Sequence, residues 1–121
     1  MNWLGYLDSK LSEIIKYQLD TWQGDLVSPY FPYWVGDYQE TEYNYEQQYH
    51  EYSFTLTGTT KGTYAQLESD REKIEQVFSN HTYKEKGHGI AIYYDDSIMI
   101  PSVDEQIKRM EVHLTVKEWR C

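Results

Sequence analysis

The stretch Met110-Glu-Val-His-Leu-Thr-Val-Lys117 alternates apolar and polar side chains without interruption. Successive side chains of a β-strand point to opposite faces of its sheet, so the apolar residues form one face and the polar residues the other. The apolar set is Met110, Val112, Leu114 and Val116. This pattern predicts a strand in a sheet that is covered on one side and open to solvent on the other.

Further strands are predicted upstream of this stretch. Residues 52–57 alternate aromatic or aliphatic side chains with Ser and Thr, and residues 90–94 show a similar alternation. Asp95-Asp96-Ser97 predicts a turn, because these residue types favour turns. A short return strand is expected at 98–100, where Pro101 ends it.

An aromatic and acidic hairpin is predicted before these strands. Two prolines interrupt the apolar run that precedes it, so its first arm begins near Tyr33. Tyr43 and Tyr45 share one strand face, whereas Tyr52 has the opposite parity, which requires a turn or bulge between them. We therefore place the tip at about residues 46–48 and expect the acidic arm to extend beyond the body of the domain.

Two helices are predicted from apolar residues that recur every three or four positions. The stripe of the first helix is Leu4, Leu7, Leu11, Ile14, Ile15, Leu19 and Trp22. Gly24 follows it in the place of a C-terminal cap. The second helix is predicted to begin at a capping box of Thr63 and Gln66 and to end before Gly87. Its apolar side holds Tyr64, Leu67, Ile74, Phe78 and His81.

The order of these elements is α-β-β-α-β-β. It predicts an α+β fold with a mostly antiparallel four- to five-stranded sheet and two helices packed on one face. A length of 121 residues is typical of one domain. We therefore expect a single domain over residues 1–121, with a projecting acidic, tyrosine-rich hairpin at about 34–54.

Composition argues against several classes of protein. Twenty acidic and eleven basic residues give a formal charge of −9, which disfavours binding to nucleic-acid phosphates. Thirteen Tyr, four Trp and three Phe supply apolar area that disordered chains lack. No uncharged apolar run approaches the roughly 20 residues of a membrane span, and the first residues do not resemble a secretory signal. We therefore expect a chain made in the cytoplasm, with no membrane association.

The residue types that could support catalysis or metal binding do not have the spacings of known motifs. The histidines are His50, His81, His88 and His113, and they form no HxH or HExxH motif. Asp95-Asp96 suits a cation, but a turn uses the same residues, and the glycines beside His88 are equally explained by a turn. The loop 58–63 lacks the spacing of a phosphate-binding loop. We therefore predict no catalytic residue, metal site or cofactor.

The tyrosine-rich hairpin is the most unusual feature of the sequence. From Asp37 to Glu51 it carries five acidic residues and no Lys or Arg. Tyr is enriched at protein interfaces because its ring packs while its hydroxyl stays polar. The tyrosines of a sheet that is merely half-buried would give the same pattern. The predicted oligomer or partner interface is Trp34, Tyr38, Glu40, Glu42, Tyr43, Tyr45, Glu46, Tyr49 and Tyr52.

Four segments, by their order and spacing, resemble the small tail terminator, or tail completion, proteins of long-tailed bacteriophages and prophages. Such proteins are often labelled minor capsid or head–tail joining proteins. The segments are FTLTGTTKG (54–62), LESDREKIEQVF (67–78), IAIYY (90–94) and QIKRMEVHLTVKEWR (106–120). The resemblance covers most of residues 33–120, and it carries over no catalytic motif.

The resemblance implies an α+β protein that assembles into a ring, usually a hexamer, on the head-proximal end of the tail tube. There it stops tube polymerisation and joins the tail to the head. The implied partners are other copies of the chain, the tail tube protein and the head connector or stopper protein, while genomic DNA passes through without tight binding. The implied location is the neck of the virion, after assembly in the cytoplasm of the bacterial host.

Two alternatives stay open at this point. One is another head–tail connector, such as a head-completion or adaptor protein. The other is an acidic DNA mimic that inhibits a host nucleic-acid enzyme, which the net charge permits. Residues 1–60 carry nine acidic and two basic residues, whereas residues 61–121 carry eleven and nine, so the charge is less evenly spread than in a typical mimic.

Overall fold

The computed structural model describes residues 3–15, 17–19, 32–44, 48–101 and 106–120. Within these ranges the chain forms the predicted α+β fold. Its elements are α1 (Trp3–Ile14), β1 (Tyr17–Leu19), β2 (Tyr33–Asn44), β3 (Tyr49–Lys61), α2 (Ala65–Phe78), β4 (His81–Glu85), β5 (His88–Ile100) and β6 (Ile107–Arg120). Neither of these helices has the length and apolar character needed to cross a membrane.

All described strands belong to one sheet, in the order β1-β2-β3-β6-β5-β4. The five strands from β2 to β4 in this order are antiparallel to their neighbours, which confirms the predicted mostly antiparallel sheet. The short β1 adds a parallel pair along Trp34–Gly36. β3 and β6 lie at the centre and pair along their whole shared length, from Tyr49 opposite Trp119 to Lys61 opposite Ile107.

The alternation in β6 produces one buried and one open face, as predicted. Met110, Val112, Leu114 and Val116 are at most 1% exposed. Phe54 of β3 and Ile92 of β5 share rungs with them and are also fully buried. The sheet therefore presents one continuous apolar face.

Both helices pack on this apolar face. The Trp3 ring of α1 stacks on Tyr52 of β3, with ring centroids 4.4 Å apart. α2 contributes Leu67, Ile74 and Phe78, which have no exposed surface. The same core takes in residues of α1, α2 and the sheet, and this confirms the predicted arrangement of two helices on one side.

The first helix is shorter than predicted. It ends at Ile14, and Tyr17–Leu19 leave it to form β1. Ile15 and Tyr17 are both buried and lie two residues apart, which is the period of a strand and not of a helix. Pairing with β2 therefore overrides the helical spacing of the sequence. The predicted helical residue Trp22 and the cap Gly24 lie outside the described residues.

The second helix also ends early. It stops at Phe78, and His81–Glu85 form β4 against β5. The predicted capping box of Thr63 and Gln66 does not form. The N-cap residue is Tyr64, and no side chain caps the helix. His81 therefore reaches the edge of the core from a strand and not from the helix.

The predicted turn at 95–97 is wrong. β5 runs unbroken from His88 to Ile100, and its register with β6 shifts between Tyr94 and Asp96. A β-bulge admits one extra residue without reversing the chain, so Asp95 is accommodated inside a long strand. The expected return strand at 98–100 is the end of the same strand.

The predicted hairpin exists, but its described part does not project. β2 and β3 pair from Tyr33 to Asn44, with a register shift between Glu40 and Glu42. β3 is paired with β6 on its other side as far as Tyr49, so both arms belong to the sheet. Gln48 has a positive φ of 57°, as turn residues often do. Residues 45–47, at the predicted tip, lie outside the described part of the chain.

Candidate interaction surface

The face of the sheet opposite the helices is uncovered by any described element, and its central strands are polar there. The registers place Ser53, Thr55 and Thr57 of β3 beside Thr115, His113 and Glu111 of β6. These side chains are exposed or half-exposed. We call this surface the open face.

Carboxylates occupy the middle of the open face. One rung runs through Asp37, Thr55, His113 and Asp96. His113 contacts Asp96 through Nδ1 and Glu111 through Nε2, the latter at 2.9 Å. The β5 bulge positions the aspartates, and Thr115 donates a hydrogen bond to Asp95. The registers place the basic residues of this face towards its two ends: Lys61, Arg109, Lys84 and Lys117.

The pKa values of two histidines are shifted in opposite directions. Hydrogen bonding to Glu111, with a further contribution from Asp96, raises the pKa of His113 above its ordinary 6.5. Burial, together with the charge of Lys10, lowers the pKa of His81, which is also hydrogen-bonded to the Tyr6 hydroxyl. The first shift favours the protonated form in the folded chain, and the second favours the neutral form.

We therefore expect separate titrations. In a histidine proton NMR titration, His113 should have its midpoint above 6.5 and His81 below it. The stabilisation that His113 contributes is complete below pH 6.5 and is lost as the pH rises through its folded pKa, whereas His81 costs stability as the pH falls below 6.5. His113→Gln should remove only the first dependence. Midpoints in the reverse order would contradict these contacts.

A shallow hollow of about 550 Å³ lies at one end of the open face, beside β4. Gly89 and Ala91 lie in the middle of the hollow. Because glycine has no side chain and alanine has only a methyl group, space remains beside the larger side chains, which are Thr82, Lys84, Tyr93 and Trp119. Trp119 packs against Tyr49, with ring centroids 5.2 Å apart. The Lys117 ammonium lies 4.9 Å from the Tyr49 ring centroid. This end of the face is thus aromatic and cationic, unlike its centre.

An ionic cluster lies on the opposite, helix-covered face. His88 Nε2 is 2.8 Å from Glu118 Oε2, and its Nδ1 is 3.0 Å from Glu85 Oε1. Glu118 is only 4% exposed, and its Oε2 also accepts a 3.1 Å hydrogen bond from the Trp3 N–H at the start of α1. A Lys86-Gly87 turn, with a positive φ of 77° at Gly87, holds Glu85 opposite His88.

The contacts of this cluster join elements of the fold to one another. The Glu118 carboxylate joins the N-terminus of α1 to β5, where the positive end of a helix dipole favours a negative charge. Hydrogen bonds from His88 and then Tyr83 lower the pKa of the Glu85 carboxyl. The sequence singled out His88 for its flanking glycines but gave no sign of Glu118, which the alternation of β6 places among apolar residues.

The residues predicted to form an interface divide into several groups. Trp34 is completely buried, and its indole N–H donates to Asp70 Oδ2 at 2.9 Å. It is a core residue, and we remove it from the predicted interface. Tyr49 is 7% exposed beneath Trp119, and Tyr52 is half-buried against Trp3.

The remaining predicted residues lie further along the hairpin. Tyr38 is 43% exposed and packs edge-on against Trp3. Glu40 is exposed and bonded to His50 at 2.7 Å, while the Tyr43 ring lies 4.5 Å from the His50 ring. Glu42 lies in β2, with its side chain outside the described atoms. Tyr45 and Glu46 lie outside the described residues.

Two strand edges border the sheet. β1 pairs only with Trp34–Gly36, so no described strand pairs with the outer side of β2 from Asp37 to Asn44. At the other border, no described strand pairs with the outer side of β4. The border strands of a sheet are sites where another chain can extend it.

Among the described residues, no group of three or more His, Cys, Asp or Glu side chains is arranged to hold a metal ion. The candidate interaction surfaces are the open face, the hollow and the two strand edges. No protein-family model matches this chain, and no curated protein matches it.

Proposed function

We propose that this chain is a structural neck protein of a bacteriophage or prophage. It caps the head-proximal end of the tail tube, stops polymerisation of the tube and joins the tail to the head connector, as a ring of identical copies. The observation that carries the proposal is a single wide sheet of described strands, with helices on one face, an open face with a polar centre on the other, and two different border strands. Such a unit has two different edges with which copies can assemble head to tail, and head-to-tail contacts form a ring when the rotation between copies closes.

The open face suits the wall of a DNA channel. Its centre holds hydroxyl groups and carboxylates, including Thr55, Asp96 and Glu111. Phosphates are repelled by carboxylates and bound by clustered Lys and Arg, so this surface lets DNA slide without holding it. The resemblance to tail terminator proteins supports the same role. The terminator role is preferred over that of another head–tail connector because the resembling segments are those of terminators.

A DNA mimic is the second candidate, and the acidic β2 edge is what favours it. Asp37, Glu40 and Glu42 follow each other closely along this edge. Lysines at one end of the open face interrupt the negative surface that a mimic needs. Salt-sensitive binding of the chain to a basic nuclease, without self-association, would favour the mimic over the ring.

The proposal is tested on assembled tails. Tails produced without this chain should be overlong or unable to join heads in electron micrographs, and supplying the wild-type chain should restore normal tails. A variant with a basic open face, Thr55→Lys with Thr115→Lys, should still cap tails but slow DNA release, because the channel would hold phosphates. Glu72→Lys with Gln76→Lys, on exposed positions of α2, is the matched control. Normal tail length and head joining in the absence of the chain would refute the proposal.

A further inference from the structure

We infer that two copies of the chain pair with each other, antiparallel, through the outer edge of β5 over residues 96–100. Such a contact joins two identical surfaces, so it stops at two copies. The proposed ring uses head-to-tail contacts between different surfaces. The inference therefore goes beyond that function and does not depend on it.

The edge of β5 is open because β4 is short. β4 pairs with β5 only from His88 to Ile92. β5 continues to Ile100, and in this second half β6 is its only described partner strand. Within the described part of the chain, no backbone hydrogen bond reaches the outer side of residues 96–100. Main-chain N–H and C=O groups along this side are thus available to another strand.

The side chains of this edge are apolar and exposed. Ile98 is 51% exposed and Met99 is 56% exposed, and Ile100 beside them is half-exposed. Strand edges that face solvent are usually protected by charged side chains or bulges. β5 has such protection only at its start, where the bulge and the carboxylates of Asp95 and Asp96 lie. An apolar edge without protection is typical of a surface that a partner covers.

The charges at the two ends of the edge indicate that this partner is a second copy. Asp96 lies at one end, and its side chain is 65% exposed. Arg109 of β6 lies beside Ile100 at the other end, exposed and without an ion pair among the described residues. Both charges are on the open face. Antiparallel pairing brings the acidic end of each copy to the basic end of the other, about two strand spacings or 10 Å apart, whereas parallel pairing would set two aspartates side by side.

The bulge and Pro101 fix the register of the contact. The bulge interrupts regular pairing on one side of the edge, and Pro101 has no N–H to donate on the other. The twofold axis that uses the whole stretch between them passes through Ile98. Ile98 then lies opposite Ile98 of the second copy on the open face, and Met99 lies opposite Ser97 on the other face. Side chains directly opposite in an antiparallel pair have Cβ atoms about 4.5–5.5 Å apart.

Sedimentation equilibrium of the full chain and two lysine variants tests the contact. Ile98→Lys places two ammonium groups next to each other at the twofold axis, so it should weaken dimerisation at least about tenfold. Gln39→Lys is the matched control, because it makes the same charge change at an exposed strand position on the open face of β2. It should leave dimerisation unchanged. Circular dichroism of each variant checks that the fold is retained.

Disulfide crosslinking tests the register without adding charge. In a Cys121→Ser background, Ile98→Cys should form a disulfide-linked dimer under mild oxidation, because the two new thiols face each other across the axis. Met99→Cys alone should crosslink poorly, since each Met99 faces Ser97. A mixture of Met99→Cys with Ser97→Cys should crosslink well, and Gln39→Cys should not crosslink.

A dimer that Ile98→Lys weakens and Ile98→Cys locks would support the inference. A wild-type chain that stays monomeric up to about 1 mM would overturn it, and so would a dimer that Ile98→Lys leaves unchanged. If Ile98→Lys failed to fold, the Ile98→Cys result would decide. Crosslinking through Met99→Cys but not through Ile98→Cys would refute the pairing about Ile98. The experiment on assembled tails judges the proposed function separately.

Discussion

Trp34→Ala should lower the free energy of unfolding by about 3–5 kcal/mol, the cost usual for truncating a large buried aromatic residue. Trp34 has no exposed surface. Its ring lies over Gly58 of the neighbouring strand, where an added Cβ would come within 2.8 Å of the indole atoms. Its N–H donates to Asp70 Oδ2 of α2, so truncation leaves a cavity and removes the hydrogen bond to this oxygen in the same place.

This result distinguishes a core residue from an interface residue. If Trp34 served a partner surface, Trp34→Ala would keep the stability of the monomer and lose association instead. Urea unfolding monitored by circular dichroism at two protein concentrations makes the comparison. Gln39→Ala, further along β2 and exposed, is the control and should change stability by less than about 0.5 kcal/mol. A Trp34→Ala chain as stable as the control would contradict the packing described above.

The fold class could be predicted from the sequence because its strongest patterns mark side chains that are buried in the fold. The alternation from Met110 to Val116 identifies the apolar face of the sheet directly, and the spacing around Leu67 and Ile74 identifies a helix that covers it. The β2–β3 hairpin was also predictable from the change in parity of its tyrosines. For the strand and for the helix, the local pattern arises because one face of the element is covered.

The errors arose where a tertiary contact decides the local structure. Residues 15 and 19 fit a helical stripe, but pairing with the edge of β2 makes Tyr17–Leu19 a strand. Asp95-Asp96 is typical of a turn, yet pairing along β6 keeps β5 extended and converts the extra residue into a bulge. Neither partner strand is visible from the local sequence.

The candidate site was predicted less completely than the fold. An acidic, aromatic hairpin was recognised, but composition alone does not separate a buried Trp34 or Tyr49 from an exposed Tyr38 or Glu40. β4 itself was missed because residues 81–85 were assigned to the preceding helix.

His88→Ala should destabilise the fold by about 2–3 kcal/mol, because it deprives the buried Glu118 carboxylate of its contact with His88. The two side chains are 10% and 4% exposed, so water provides little compensation. Both ring nitrogens of His88 face carboxylate oxygens, at 3.0 Å from Glu85 and 2.8 Å from Glu118. The Trp3 N–H also donates to Glu118 Oε2, at 3.1 Å.

Removal of both partners shows whether the loss comes from their contact. His88→Leu with Glu118→Leu leaves no buried carboxylate to satisfy and should be considerably more stable than His88→Ala, because replacing both partners of a buried polar contact by apolar residues costs little. His50→Ala is the matched control: this histidine also pairs with a carboxylate, but with side chains 42% and 48% exposed, and its loss should cost less than about 1 kcal/mol. Urea unfolding at pH 7 measures all four proteins. If His88→Ala cost no more than His50→Ala, the contact between His88 and Glu118 would contribute little to the stability of the fold.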